Sequence, residues 1–378
     1  MNRVGSATSL CRALMICMVP GVAYSQAGYE SLTVLGPGEA RKVDKAIARG
    51  LTWLAKQQEA DGSFPTDDNA EPAITSLCLF AFLACGHLPG EGEHGELLEK
   101  GVDFVISCQK GDGSIVQLPP PLEHAAGSPT QTGPYAHAIS GLLLSELYGM
   151  TSDVRSTRMR TAIEKALSYS RQLQTQPKRN RKDLGGWRYL YPINDMNSDL
   201  SVTSWHLMFL RSAKAAGFRV PSEWIDEAFG YVTRCYDEAH QTICYGTHSS
   251  ERSYNSRTMA GAGIVSLAMA GQHETPMARR TGRWLLSRPF DSKPKHGRKK
   301  EHFYYAAFYC SQAMFQLGGE YWRKFYPVTV QTFLANQKRD GQWSDQSEMG
   351  RKYGGTLITA LAIMTLTPPY QMLPIFQR

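Results

Sequence analysis

The chain has 378 residues, of which 42% are apolar and 20% charged. This balance excludes an intrinsically disordered chain and allows a large buried core. The formal charge is +7, and its excess lies in loops at 177–182 and 292–300 that lack the interleaved aromatic residues of a nucleic-acid site, so no nucleic-acid partner is expected. These loops could make a peripheral contact with an anionic membrane, although solvated loops are the interpretation we favour.

The N-terminal residues have the features of a targeting sequence. Two arginines precede an apolar run at 13–22, and small residues follow up to Ser25. This pattern predicts a signal peptide over 1–25, a linker over 26–39 and an exported protein, periplasmic or extracellular. The apolar run is too short to span a bilayer. The alternative is an ordinary buried N-terminal helix.

Two kinds of helix then alternate along the chain. Amphipathic segments, with apolar residues three or four positions apart, lie around 43–54, 98–105, 159–167, 224–231, 276–288 and 321–337. Pro327 is expected to start or kink the last of these. Segments that are apolar on nearly every side lie near 72–86, 133–149, 200–217, 257–271, 302–318 and 355–367. Such helices must be surrounded by protein.

Six surrounded helices and six amphipathic ones predict a double ring. The expected fold is therefore an all-α (α/α)6 toroid, formed by one domain over 40–370 and followed by a C-terminal tail over 371–378. Strand-like alternation is nearly absent.

A recurring turn separates the helices. The segments 57–64, 109–115 and 337–343 each contain a Gln, then a Gly four positions later, then Phe, Ile or Trp two positions after the Gly. A looser copy occupies 184–189. The glycine permits the positive φ that ends a helix, and the last residue can fold back as an apolar clamp.

These turns resemble the repeats of squalene-hopene cyclases. Together with the alternating helices, they make the chain similar to the prenyltransferase and squalene-oxidase repeat proteins over roughly residues 40–370. The resemblance implies the toroid fold. It does not imply one chemistry, because the fold occurs in triterpene cyclases, protein prenyltransferase β subunits and complement-type thioester proteins. The double ring also recurs in secreted glycoside hydrolases and polysaccharide lyases.

The signature residues of these enzymes are missing from the sequence. Cyclases use an Asp-x-Asp-Asp-Thr acid motif, and the nearest segment here begins at Asp199 and has Ser201 and Val202 in place of the other two acids. Asp195 is a second acid upstream. The interpretation we favour for Asp199 is a helix N-cap, with its ionised form stabilised by the helix dipole.

The chain also lacks the metal and thioester motifs. No Asp-x-Cys pair of a prenyltransferase zinc site occurs, so neither a metal nor another cofactor is expected. Cys235 and Cys244 do not fit a Cys-x-Glu-Gln thioester segment. They flank a short turn, where either a small disulfide loop or two buried thiols is compatible with the sequence.

The leading hypothesis is an exported toroid that binds an apolar or polymeric ligand in its central cavity, or acts as a scaffold. Two alternatives stay open: an isoprenoid or triterpene cyclase-type enzyme with a displaced acid, Asp195 or Asp199, and a carbohydrate-active lyase or hydrolase. The sequence indicates neither a catalytic residue nor an oligomeric state. The candidate cavity or rim residues are Tyr135, His137, Asp199, Trp205, Tyr254, Arg257, His302 and Tyr305.

Overall fold

The computed structural model describes residues 34–66, 70–118, 128–151, 153–190, 197–248, 256–292 and 302–377. These residues form twelve α-helices: α1 Pro37–Ala55, α2 Glu71–Leu83, α3 Gly95–Ser107, α4 Ser128–Leu147, α5 Asp153–Gln174, α6 Leu200–Ala215, α7 Ser222–Arg234, α8 Arg257–Met269, α9 Pro276–Leu286, α10 Phe303–Leu317, α11 Gly319–Asn336 and α12 Glu348–Leu366. Short 3-10 turns cover Arg181–Asp183, Pro368–Tyr370 and Pro374–Phe376. One antiparallel pair joins β1 Tyr236–Asp237 to β2 Thr242–Ile243.

The even-numbered helices form a closed inner ring. Each contacts the next even-numbered helix, and α12 contacts α2. Each outer helix from α3 to α11 packs on the inner helix before it, whereas α1 packs on α12. The first outer helix therefore completes the sixth pair, and the predicted (α/α)6 toroid is confirmed.

Burial explains the two kinds of helix. Helix α2 buries every residue from 72 to 83, because neighbours surround it on all sides. Helix α1 buries one stripe that includes Val43, Ile47, Leu51 and Leu54. In the described part of the chain, none of the helices combines the length and the apolar character that a membrane span requires.

Some element boundaries differ from the sequence-based prediction. Helix α1 begins at Pro37, inside the segment expected to be a linker. Helix α11 continues through Pro327. Helix α12 begins earlier than expected, at Glu348, but Gly354 interrupts it with φ 76°, so the fully surrounded part begins after that glycine.

The repeat turns tie neighbouring pairs together. In each turn the Gln side-chain amide donates to the carbonyl of its own Gly and to a carbonyl of the next outer helix. For Gln58 these acceptors are Gly62 at 3.0 Å and Leu97 at 2.9 Å. The same pairs of bonds link Gln109 to Gly113 and Ala162, Gln174 to Gly185 and Trp224, and Gln337 to Gly341 and Ala46.

The residue two positions after the turn glycine is held by the following inner helix. Its backbone N–H donates to a threonine hydroxyl in three turns: Phe64 to Thr75, Trp187 to Thr203, and Trp343 to Thr359. In the remaining turn, Ile115 donates to Nδ1 of the buried His137 at 3.2 Å. His137 therefore takes the structural place of a threonine.

Part of the segment that we expected to be a C-terminal tail, 371–378, packs on the ring. Phe376 is buried, and its carbonyl accepts from Gln316 of α10 at 2.8 Å. The Ile375 N–H donates to Glu146 of α4 at 3.0 Å. Since both partners lie at the C-terminal ends of inner helices, this segment covers that end of the ring.

Candidate functional site

A cavity of about 420 Å³ lies at the opposite end, where the inner helices begin. The segments that run from outer to inner helices, including all four repeat turns, lie at this same end. Every inner helix contributes to the wall, through residues such as Ile74, Tyr135, Trp205, Met259, Tyr305 and Leu357. The cavity is therefore a product of the closed ring and not of any single repeat.

The wall is mainly aromatic and aliphatic. Its tyrosine and tryptophan rings are Tyr135, Tyr189, Trp205, Tyr245, Tyr305 and Tyr353. Apart from the tyrosines, the ionisable lining residues are His302, Glu348 and Lys352, at the beginnings of α10 and α12. Since these two helices are neighbours in the inner ring, the three groups lie on one side of the cavity.

The hydroxyl groups of the wall mostly bond one another. The Tyr135 hydroxyl donates to Ser201 at 2.8 Å, and the Trp205 indole N–H donates to the Tyr305 hydroxyl at 2.8 Å. The Tyr189 and Tyr245 hydroxyls lie 3.3 Å apart. Burial raises the pKa of Tyr135 well above its usual value and also raises that of Tyr305. The wall therefore presents neutral phenol rings.

Asp199 lies behind this wall. It caps α6, as expected, by accepting from the Val202 N–H at 2.9 Å. Its other carboxylate oxygen accepts from Arg188 at 2.9 Å, and both side chains are buried. The same Arg188 nitrogen donates to the Tyr245 hydroxyl at 3.0 Å.

The environment of Asp199 differs from the expectation of a simple dipole-stabilised cap. Burial raises the pKa of the carboxyl group, and the Arg188 guanidinium and the Val202 N–H oppose that shift. Both carboxylate oxygens accept hydrogen bonds from protein donors. This arrangement suits an ionised carboxylate rather than an acid that protonates an alkene.

The structure separates the eight candidate residues into groups. Tyr135, Trp205, His302 and Tyr305 line the cavity. Tyr254 lies outside the described residues, as does Asp195, the second candidate for a displaced acid.

The other three candidates lie elsewhere, and each has a structural reason. His137 faces the second repeat turn, where its Nδ1 accepts from Ile115. Asp199 faces Arg188. Arg257 lies over the Phe290 ring, with its guanidinium carbon 3.8 Å from the ring centre, and donates to the Pro289 carbonyl.

Sequence reasoning missed several wall residues. Tyr189 and Tyr245 lie outside the predicted helices, and no motif identifies them. Tyr189 does end the segment 184–189, which the sequence identifies as a loose repeat turn. The sequence does not show that this turn lies at the cavity. Lys352 was missed because the predicted helix began at 355.

No group of three potential metal ligands occurs in the described ranges. Cys235 and Cys244 are both buried thiols in the structure, beside β1 and β2. Of the two alternatives that the sequence left open, a disulfide loop or two buried thiols, the structure has the two thiols.

The sequence matches no protein-family model and no curated protein. Similar solved structures include type II terpene cyclase MstE from Scytonema, in a variant bound to geranylgeranyl dihydroxybenzoate. It has 13% identity and a TM-score of 0.56, covering 90% of this chain and 100% of the cyclase. The same cyclase without ligand gives 12% identity and a TM-score of 0.54, covering 88% and 100%.

A second kind of neighbour is the GH76A α-1,6-mannanase of Salegentibacter sp. HEL1_6. An inactive variant of it, with two neighbouring aspartates replaced by asparagine and α-1,6-mannotriose bound, has 10% identity and a TM-score of 0.61. The match covers 86% of this chain and 98% of the mannanase. At these identities the likeness shows the fold alone, a terpenoid-cyclase-like (α/α)6 toroid shared by enzymes of two unrelated chemistries.

Proposed function

We propose that the ring binds an elongated apolar ligand, such as an isoprenoid chain, in its central cavity. The observation that carries this proposal is the composition of the wall, where aromatic and aliphatic side chains from all six inner helices surround one space. The nearest described buried carboxylate, Asp199, is paired with Arg188 behind that wall. The protein would therefore hold its ligand without protonating it.

The dimensions and chemistry of the cavity support this ligand class. Its volume of about 420 Å³ falls within the range of roughly 300–1,000 Å³ that is usual for small-molecule sites. The hydroxyls bonded to one another leave ring faces for the ligand, and burial of apolar surface against them is favourable. The terpene cyclase neighbour was observed with geranylgeranyl dihydroxybenzoate, a precedent for an isoprenoid chain inside this fold.

Equilibrium dialysis of the purified protein against labelled geranylgeraniol tests the proposal. Ala73 lines the cavity and is 5% exposed, so Ala73→Phe should fill part of the space and weaken binding at least tenfold. Ala48→Phe, on the exposed side of α1, is the matched control and should bind as wild type does. Equal binding by both variants, or no saturable binding by wild type, contradicts the proposal.

A second candidate function is glycoside hydrolysis. Asp67 and Asp68 are adjacent in the sequence, outside the described residues, and precede Ala70, which lines the cavity. The mannanase neighbour is inactive when two neighbouring aspartates are changed to asparagine. Paired carboxyl groups are the usual catalytic set for cleaving a glycosidic bond.

Incubation with α-1,6-linked mannan, followed by a reducing-sugar assay, separates the two candidates. The ligand-binding proposal expects no new reducing ends. Cleavage by wild type that is lost in Asp67→Asn and Asp68→Asn, but retained in the control Asp340→Asn, would establish the hydrolase instead. Asp340 belongs to a repeat turn and is exposed, so it is a suitable control.

A further inference from the structure

A second, smaller hollow lies beside the central cavity. Its volume is about 50 Å³, and its lining includes Lys178, Arg188, Tyr189 and Asn197. It is placed between the end of α5 and the repeat turn that follows. Tyr189 lines both this hollow and the central cavity, so the two spaces are neighbours at this residue.

Arg188, which lines this hollow, has a buried donor without a described partner. The residue is 8% exposed, and its Nη1 donates to Asp199 and Tyr245. Its Nε has no hydrogen-bond partner among the described residues. Leaving a buried guanidinium N–H without an acceptor is costly, which points to an acceptor that the described residues do not supply.

Lys178 supplies a second cation. Its Nζ donates to the Asn197 carbonyl at 3.0 Å. Burial lowers the pKa of this amine to about 8, and Asp183 opposes the shift. An anion in the hollow would restore the stability of the charged form.

The nearby carboxylates have other partners. Asp183 accepts from the Asn197 N–H at 3.0 Å and from the Thr247 hydroxyl at 3.3 Å, and it also bonds His248. Asp199 bonds the opposite end of the Arg188 guanidinium. His206 is the remaining titratable group whose charge is coupled to Lys178, and burial lowers its pKa well below the usual value, so it is neutral near pH 7.

We propose that this hollow binds a carboxylate group, whose oxygens accept from Arg188 Nε and Lys178 Nζ. A carboxylate has only acceptor oxygens when ionised, and its planar shape matches a guanidinium edge. The group is either a free small carboxylate or the acidic end of the molecule held in the central cavity. The site does not depend on the ligand proposed for that cavity, since its two cations are fixed by their own contacts.

The first arm of the test measures the free anion. Thermal unfolding is followed at pH 7 while sodium acetate replaces sodium chloride at constant ionic strength. Wild type and the exposed-site control Lys182→Met should gain stability in a saturable way, and Lys178→Met should not. The acetate effect should weaken above about pH 8 as Lys178 loses its proton. Arg188 is left unchanged because its removal would leave Asp199 buried without a counter-charge.

The second arm tests whether the carboxylate is the acidic end of the molecule in the central cavity. It uses calorimetric titration with dodecanoate and with dodecanol, which lacks the carboxylate. If the carboxylate belongs to the cavity ligand, wild type and Lys178→Arg should bind dodecanoate about tenfold more tightly than dodecanol, and Lys178→Met should lose that preference. An acetate effect without this preference assigns the site to a free anion. If wild type and Lys178→Met behave alike in both arms, the carboxylate site is refuted. Failure of dodecanol to bind counts against the apolar cavity ligand and not against this site.

Discussion

Gln337, in the last repeat turn, donates its side-chain amide to the carbonyl of Ala46, 291 positions earlier in the chain, at 2.8 Å. The same side chain donates to Gly341 at 2.7 Å, and its oxygen accepts from Arg49. The ring is thus closed by the same pair of bonds that connects neighbouring repeats elsewhere. Closure needs no special element, because α1 occupies the position of the next outer helix.

We expect Gly341→Ala to be clearly destabilising. Gly341 has φ 101°, and a Cβ at this position would lie 2.4 Å from the Arg49 carbonyl oxygen. The positive φ alone costs about 1–3 kcal/mol in a residue with a side chain, and the close approach adds to it. Gly111→Ala is the matched control, since a Cβ there meets nothing within 4 Å. In urea unfolding, Gly341→Ala should lower the free energy of unfolding by at least about 2 kcal/mol, and Gly111→Ala should not. Equal urea midpoints for the two variants would show that the turn does not require glycine.

A second prediction concerns acid sensitivity. Burial lowers the pKa of His137 from 6.5 to about 4, so the folded state takes up this proton less readily than the unfolded chain. The stability that neutral His137 contributes is complete above pH 6.5 and is lost as the pH falls through about 4. At about 1.4 kcal/mol per pKa unit, the loss is roughly 3 kcal/mol.

His137→Thr tests this prediction, because threonine occupies the equivalent position in the other turns. The free energy of unfolding of the variant should fall less between pH 7 and pH 4 than that of wild type. His206, also buried with a lowered pKa, remains in the variant and makes a loss of the same sign. The control is His273→Gln, in the connection between α8 and α9. Its free energy of unfolding should fall between pH 7 and pH 4 by as much as that of wild type. An unchanged pH dependence in His137→Thr would place the sensitivity elsewhere.

The protein is expected not to cyclise squalene. Alkene protonation needs a strong, protonated acid facing the substrate, whereas Asp199 accepts from Arg188 and Val202 behind the cavity wall. Gas chromatography of an extract, after incubation with squalene in detergent, should show no polycyclic product. A product made by wild type and lost in Asp199→Asn would instead establish a cyclase.

We propose that the protein is exported, which leads to a prediction about the N-terminus, whose residues 1–33 lie outside the described ranges. Cleavage after Ser25 should give a mature protein that begins at Gln26. Ser25→Leu should accumulate as precursor, because signal peptidase accepts small residues at this position. Sequencing of the wild-type N-terminus is the direct measurement. Finding Met1 or its immediate neighbours there would rule out cleavage.

The ring could be predicted from sequence because its information is local and repeated. Apolar periodicity distinguishes inner from outer helices, and glycine at a fixed distance from glutamine marks the turns. Gln174 escaped recognition because an insertion separates it from Gly185, although its side chain bonds that residue at 3.1 Å. A search by fixed spacing does not find two residues that touch in the structure but are separated by an inserted loop in the sequence.

The site was less predictable because it depends on contacts between distant segments. Arg188, in a repeat turn, pairs with Asp199 at the N-cap of α6, and no motif states which charges will be buried together. Histidine is a residue type common in functional sites, but His137 takes the structural position that threonine has in the other turns. Distinguishing these roles requires knowing which side of the helix faces the cavity.

The placement of α1 on α12 also bears on how the chain reaches its native state. During synthesis, the apolar stripe of α1, which includes Val43 and Leu54, is made long before its inner-ring partner exists. Contacts this remote in sequence slow folding and leave apolar surface exposed to other chains. Helix α1 should therefore stay unprotected by its partner until α12 has been made, and the described ring should become resistant to proteolysis only after that stage.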